Sequence, residues 1–316
     1  MKNIFEVLQD VEHIGITGHI RPDGDCIGSI MSLYNYIVDN MPELDVDVYA
    51  QRVPENFRYI KNIDKVIVDY PDVDKVYDVM ICLDSSDLER IGEADKYFKS
   101  AKKTVCIDHH ISNDSYADIC HVLPNASSTC EVLFDLFEED KISKSVAEAL
   151  YTGVIHDTGV FKHSNTSKHT LEVAGCLINK GVAFSKIIDE SFYQKTFLQN
   201  QILGKCLLNA SMTLGNKVIY SYIDLKTMEE NKAMPSDLDG VIDQLRITEG
   251  IEVAILLHET SEGIYKISMR SNNDVNVSEI AMTYGGGGHI KAAGCSAQGD
   301  IHTIIEDLVD KISKQL

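Results

Sequence analysis

The sequence predicts an α/β protein, with a mostly parallel sheet in its N-terminal domain and a smaller mixed α/β domain after it. Three observations carry this expectation. Short apolar runs alternate with helical patterns through the first half of the chain. Acidic and histidine residues recur directly after those runs, at the strand ends where open α/β sheets present their polar groups. Around 185–212 the pattern becomes a polar helical stretch, after which longer strands dominate. The expected division is a first domain over 1–190, a helical connector over 191–210 and a second domain over 211–316.

HIGITG (13–18) reads as a short apolar strand ending in glycine. CIGSIMSLYNYIVDN (26–40) sets Ile27, Ile30, Met31, Tyr34 and Ile37 on one helical face. DVDVYA (45–50) alternates like a strand. YDVMICLD (77–84) and TVCID (104–108) are the continuous apolar runs of buried parallel strands. Helices are expected at 128–138, 145–156 and 168–180. The first starts at Ser127-Ser128-Thr129, good capping residues, with Glu131 close behind. In the second half, strands are expected at 218–224, 251–259 and 263–271, and helices at 237–246, 276–283 and 300–314.

A chain of 316 residues suits one large domain or two ordinary ones. Its 44% hydrophobic and 25% charged content is that of a soluble globular protein. Charges break the apolar runs well before the length of a membrane span, so no membrane association is expected. MKNIFEVLQDVEH carries acids where a signal peptide needs an apolar core, so a cytoplasmic location is expected. The eight cysteines form no CxxC pair and read as reduced core thiols, Cys26 as a small helix-start residue. A net charge of −20 argues against a grip on long DNA or RNA, which needs lysine and arginine on phosphate. It leaves room for a small phosphate substrate, because bound metal ions supply positive charge locally.

The candidate metal-binding residues come from four segments. His19, Asp23 and Asp25 share the turn-forming segment GHIRPDGD, and aspartates two apart can serve two neighbouring ions. Taken alone, such an acid more often just caps a helix. Asp84 ends an apolar strand, where an unpartnered acid is costly to desolvate. Asp87 and Arg90 read as a local ion pair or a helix start. Asp108-His109-His110 follow another buried strand. One imidazole can ligate metal, the other can meet substrate, and Asp108 can orient a ring. Asp157 ends a helical segment; His156 beside it either supports it or packs. His13, His121, His163, His169, His258 and His302 read as structural or surface residues. Oxygen and imidazole nitrogen are the donors that hard and borderline divalent cations prefer, and there are enough for two ions. In TYGGGGHIKAAGCS (283–296), the glycine run reads as a loop outside helix and strand interiors, letting backbone N–H groups approach a phosphate. His289 adds a donor, and Arg270 is a second phosphate clamp.

Together these motifs resemble the DHH phosphoesterase superfamily. GHIRPDGDCIGS, LDSSD, DHHISN and HDTGVFKHSNTS look like its four metal-site motifs, and GGGGHIKAAG with the preceding MRS looks like its associated C-terminal domain. The resemblance covers nearly the whole chain and is nearest to the NrnA-type oligoribonuclease and 3′-phosphoadenosine-5′-phosphate phosphatase subgroup. It implies that His19, Asp23 and Asp84 hold one divalent ion, and Asp25, Asp84, His109 and Asp157 the other, with Asp84 bridging. The ions are expected to be manganese, with magnesium or cobalt as substitutes. His110 is expected near the scissile phosphate, giving Asp84 and His110 catalytic roles. Arg270, Gly286, Gly287, Gly288 and His289 are expected to bind the far end of the substrate, in a cleft between domains. The expected partners are short RNA oligonucleotides or small nucleotides, and a homodimer is compatible with the pattern. The expected reaction is hydrolysis of short oligoribonucleotides to 5′-mononucleotides, with removal of phosphate from 3′-phosphoadenosine 5′-phosphate. Three rival readings stay open: a family II inorganic pyrophosphatase, a stand-alone phosphodiesterase for cyclic or linear signalling dinucleotides, and a nucleotide-binding regulator without turnover.

Overall fold

Parallel strands need a crossover to bring the chain back to its starting edge, and helices supply two of those crossovers in the first half of the chain. The computed structural model describes residues 3–71 and 75–316. Its first compact unit runs to Gln194 and its second from Lys195. Unit 1 comprises β1 (His13–Thr17), α1 (Gly24–Asn40), β2 (Asp45–Tyr49), β3 (Val66–Ile67), β4 (Val79–Leu83), α2 (Asp95–Ser100), β5 (Thr104–Asp108), β6 (Ile119–Val122), α3 (Thr129–Leu136), α4 (Lys144–Asp157), α5 (Lys168–Asn179) and α6 (Phe184–Ile188). The strands form one sheet in the order β3-β2-β1-β4-β5-β6, every neighbouring pair parallel.

Alternation along β4 divides the two faces of this sheet. Val79, Ile81 and Leu83 join the core beneath α1, α3, α4 and α5, with Ile27, Ile30, Leu133, Leu150 and Leu177. Met80 and Cys82 face the other way, into a layer built from Tyr49, Tyr70, Tyr77, Tyr97 and Phe98. Tyr49 and Tyr77 join hydroxyls at 2.6 Å, and Tyr77 donates to Asp47 at 2.7 Å. α1 and α4 approach closely at Gly28, where a Cβ would stand 2.6 Å from the Ala149 carbonyl oxygen.

Unit 2 begins with α7 (Phe197–Leu208) and continues through β7 (Ser211–Thr213), β8 (Val218–Ile223), α8 (Leu225–Asn231), α9 (Val241–Arg246), β9 (Val253–Ser261), β10 (Ile264–Ser271), α10 (Val277–Met282), β11 (Gly287–His289), β12 (Ala292–Gln298) and α11 (Ile301–Ser313). The sheet order is β11-β12-β10-β9-β8-β7; β8 and β9 pair in parallel and the other neighbours are antiparallel. Residues of α10 and α11 pack on one face, and residues of α7, α8 and α9 on the other.

The stretch expected to connect two domains is divided at Gln194. Residues 189–193 form a π-helical turn at the end of unit 1, whereas α7 buries Ile202 and Cys206 in the second unit. The glycine run also departs from expectation: Gly287 and Gly288 pair as strand β11 with Gly294 and Ala293. At Gly288 (φ +147°) a Cβ would come 2.5 Å from the Ala292 carbonyl oxygen, so the absent side chain is what lets this edge strand close. The eight cysteines are unpaired, six of them buried. No helix among the described residues is long and apolar enough to cross a membrane.

Candidate metal centre

β1, β4 and β5 are neighbours in the sheet, so the segments after them emerge at one edge. Asp23 caps α1, accepting from the Asp25 and Cys26 N–H groups at 3.1 Å. The helix-cap reading of this acid is therefore realised, while its other oxygen lies 3.6 Å from His19 Nε2. Asp25 sits in the first turn of α1, fully buried. Asp84 follows β4 in the left-handed region (φ 57°), a conformation rare outside glycine, asparagine and aspartate. It splits its carboxylate between two imidazoles: Oδ2 lies 3.5 Å from His19 Nε2, and Oδ1 lies 3.7 Å from His109 Nε2. His109 Nε2 also stands 3.1 Å from Asp157 Oδ2 and 3.9 Å from Asp25 Oδ2. The six residues His19, Asp23, Asp25, Asp84, His109 and Asp157 thus form one connected cluster from four separate segments.

The charges in this cluster are mismatched without a cation. Burial pushes Asp25 well above the usual carboxylate range, and the nearby charges of Asp84 and Asp157 push the same way. Asp157 is raised by burial too, although its bond to His109 opposes the rise. Burial works against charge on His19, yet its bonds to Asp23 and Asp84 raise it to about 10. His109 likewise rises to about 10 against burial, through its bond to Asp157 and then the Asp25 and Asp84 charges. The donors are carboxylate oxygens and imidazole nitrogens, and two overlapping sets place their ligand atoms within 4.8 Å of one another: Asp84, His109, His110 and Asp25, His109, Asp157. A third set joins His19 and Asp84 to Cys26. Its buried thiol, which the sequence reading kept outside the metal set, donates to the His19 carbonyl at 3.7 Å. The set as a whole fits two hard or borderline divalent ions.

Supporting groups hold these side chains. Asp108 is buried and sits 2.7 Å from His110 Nδ1, while Asn113 Nδ2 donates to its other oxygen at 2.8 Å. His110 is raised by that Asp108 bond, against burial. Asp87 accepts from the Arg90 N–H at 3.0 Å, so of its two expected roles it takes the helix start. His156 packs against Phe57 and Phe192 and meets Ser191 Oγ at 3.1 Å, which makes it a packing residue. α4 stops right after Asp157 in a left-handed turn, with Gly159, Val160 and Phe161 at φ 56°, 56° and 64°. A β-branched residue there stores roughly 1–3 kcal/mol of strain. Sequence reasoning missed Asn113 and Thr129. Thr129 Oγ1 donates to Asp84 Oδ1 at 3.1 Å, and the Thr129 and Cys130 N–H groups donate to Asp25 at 2.6 and 3.0 Å. The signals in the sequence were the DHHISN segment that ends in Asn113 and the cap at Ser127-Ser128-Thr129.

Within unit 2, Arg270 pairs in register with Ala292 of β12, and Ala292 pairs with His289 of β11. Directly paired residues of antiparallel strands share a face, so Arg270 and His289 flank a small alanine on one face. Arg270 Nε lies 3.6 Å from Asp243 Oδ1. Gly286, Gly287 and Gly288 run into His289 along the same edge.

Residues 13–154 match the model of the DHH family, N-terminal domain, and residues 215–316 match that of the DHHA1 domain. A relative from Mycoplasma pneumoniae is 30% identical over 97% of this chain and 94% of its own length. The chain belongs to the DHH family. That relative is named bifunctional oligoribonuclease and PAP phosphatase NrnA, as is one from Thermus thermophilus, 28% identical over 100% of this chain and 94% of its own length. This DHH chain also superposes on the crystal structure of an exopolyphosphatase-related protein from Bacteroides fragilis with a TM-score of 0.85. The identity there is 23%, over 97% of this chain and 94% of that one, which supports the shared fold. The cluster of His19, Asp84 and His109 lies inside the matched N-terminal domain, and Arg270 and His289 inside the matched DHHA1 domain.

Proposed function

We propose that this chain hydrolyses short oligoribonucleotides to 5′-mononucleotides and removes a phosphate from 3′-phosphoadenosine 5′-phosphate, using two divalent cations, with manganese preferred. The observation that carries the reading is Asp84, whose two oxygens face two different imidazoles across a cluster of three further carboxylates. The relatives named oligoribonuclease and PAP phosphatase support the substrate class.

His19, Asp23 and Asp84 would hold one cation, and Asp25, Asp84, His109 and Asp157 the other. When bound, such a pair polarises phosphoryl oxygens and acidifies water. The chain's own groups do the rest. The buried sheet edge around Asp25 and Asp84 keeps bulk water from the carboxylates and so strengthens every charge interaction there. Asp108 fixes His110 through Nδ1, which leaves Nε2 to give a proton to the departing oxygen. The bond to Asp108 favours the protonated ring that this role needs. Arg270, His289 and the backbone of Gly286–Gly288 are assigned to the far phosphate or base of the substrate. A cytoplasmic site of action and a preference for short over long nucleic acid belong to the same proposal.

The test is an assay of di- to pentaribonucleotides and of 3′-phosphoadenosine 5′-phosphate with manganese, with pyrophosphate and cyclic dinucleotides in parallel. Release of 5′-mononucleotides and of inorganic phosphate, lost on chelation, is the expected result. No turnover of either nucleotide substrate would overturn it.

A further inference from the structure

The segment 127–131 touches two of the four residues assigned to the second cation, Asp25 and Asp84, and reaches a third, Asp157, through Asn165. Thr129 gives its backbone N–H to Asp25 Oδ2 and its hydroxyl to Asp84 Oδ1, the oxygen on the His109 side of that carboxylate. The Ser127 carbonyl accepts from Asn165 Nδ2 at 2.9 Å, and the same amide reaches the Asp157 carbonyl at 3.2 Å. Thr129 is fully buried, so these bonds form away from water. The segment is pinned from below by Glu131. This carboxylate is 3% exposed and accepts from Ser127 Oγ at 2.5 Å and Thr170 Oγ1 at 2.6 Å. Thr170 closes the capping box of α5, so Glu131 ties the starts of two helices together. The two hydroxyls meet one carboxylate oxygen of Glu131 in the interior. A buried acid held in this way is costly and needs a reason.

We propose that Thr129 is a positioning residue for one cation of the pair, setting Asp25 and the Oδ1 lobe of Asp84, and that Glu131 is the clamp that holds Thr129 in place. The inference rests on the two-cation reading above. Among the described residues Thr129 hydrogen-bonds Asp25 and the His109-side oxygen of Asp84, and not His19 or Asp23, so it acts on the Asp25–His109–Asp157 side. A hydroxyl aimed at one lobe of a bridging carboxylate keeps that lobe turned toward its own ion. Removing the hydroxyl while keeping the backbone N–H should loosen one of two sites. Partners of this kind change metal affinity by about ten- to a hundredfold.

The experiment is calorimetric titration of the metal-free full chain with manganese, for the wild type, Thr129→Val, Thr129→Ser and Glu131→Ala. The wild type should bind two ions. Thr129→Val, nearly the same in shape, should weaken one of the two at least tenfold while the metal-free chain still melts cooperatively, at a somewhat lower temperature for the lost buried bond. Thr129→Ser should restore the affinity, and Glu131→Ala should weaken the same site. Two unaltered sites in Thr129→Val, equal weakening of both, or no rescue by serine would overturn the inference. A wild type that binds no manganese would instead overturn the two-cation reading, which separates the two failures.

Discussion

Asp84 concentrates three demands in one side chain. It holds a left-handed backbone, faces His19 with one oxygen and His109 with the other, and is 2% exposed. Asn tolerates that backbone conformation, so Asp84→Asn removes charge without adding strain. It should lower kcat/KM by at least about a thousandfold, roughly 4 kcal/mol of transition-state stabilisation, while the melting temperature holds; steady-state kinetics beside a thermal melt checks both. A second acid at this scale concerns stability. Glu252 is 5% exposed and accepts from the N–H groups of Asn273, Asp274 and Val275 and from Asn273 Nδ2. Burial opposes its charge, but these donors prevail and lower it to about 2. The unfolded chain takes up a proton near the ordinary glutamate value, the folded one only near 2. Stability from this group is therefore complete above about pH 4.5, and about 3 kcal/mol is lost as the pH falls from there toward 2. Glu252→Gln should flatten that acid limb in urea titrations, and an unchanged limb would refute the assignment. The positions of the six clustered acids and histidines were legible because the four segments that carry them each begin at the end of an apolar strand or helix run. Thr129 and Glu131 were legible only as capping residues, since nothing in a cap says which distant carboxylate its N–H groups will meet.

Among the elements, α1 and α4 matter most, because Asp25 opens the first and Asp157 closes the second. Their close approach at Gly28 fixes how far apart those ends stand. In a free helix Gly→Ala gains about 1 kcal/mol. Here the new Cβ would meet the Ala149 carbonyl at 2.6 Å and the Gly153 nitrogen at 2.9 Å, both backbone atoms that cannot rotate away. Overpacking of this sort costs about 1–3 kcal/mol, so Gly28→Ala should destabilise the chain in a denaturant melt. Its activity should fall further than its stability, because the two helices carry acids of the cluster. Long amphipathic helices such as α1, α4, α5 and α11 were readable from period alone, their ends lying within two residues of expectation. The two-residue β3 and three-residue β7 are too short for any period to register. β11 was hidden for a different reason. Its glycines carry no strand preference, and only the backbone of β12 beside them makes the pairing favourable.

At the scale of the whole molecule, each unit has its own apolar cores, and the cluster of acids and histidines belongs entirely to the first. The alternation of strand and helix made the fold class legible, whereas the polar helical stretch 185–212 narrowed the expected boundary only to about 190–205, because the pattern is alike on both sides of Gln194. The aromatic layer under the first sheet has a further use. The chain has fourteen tyrosines and no tryptophan, so its ultraviolet signal comes mainly from phenol rings. Burial raises Tyr49 to about 12, and Tyr70 and Tyr77 are raised by burial as well. An unfolded phenol ionises near 10, so the folded sheet loses stability as the pH climbs above that value. A spectrophotometric titration should then show exposed phenolates forming first and a later, cooperative step coinciding with loss of the sheet's circular dichroism. The molecule would report the opening of its own catalytic half by a change of absorbance, without any attached label.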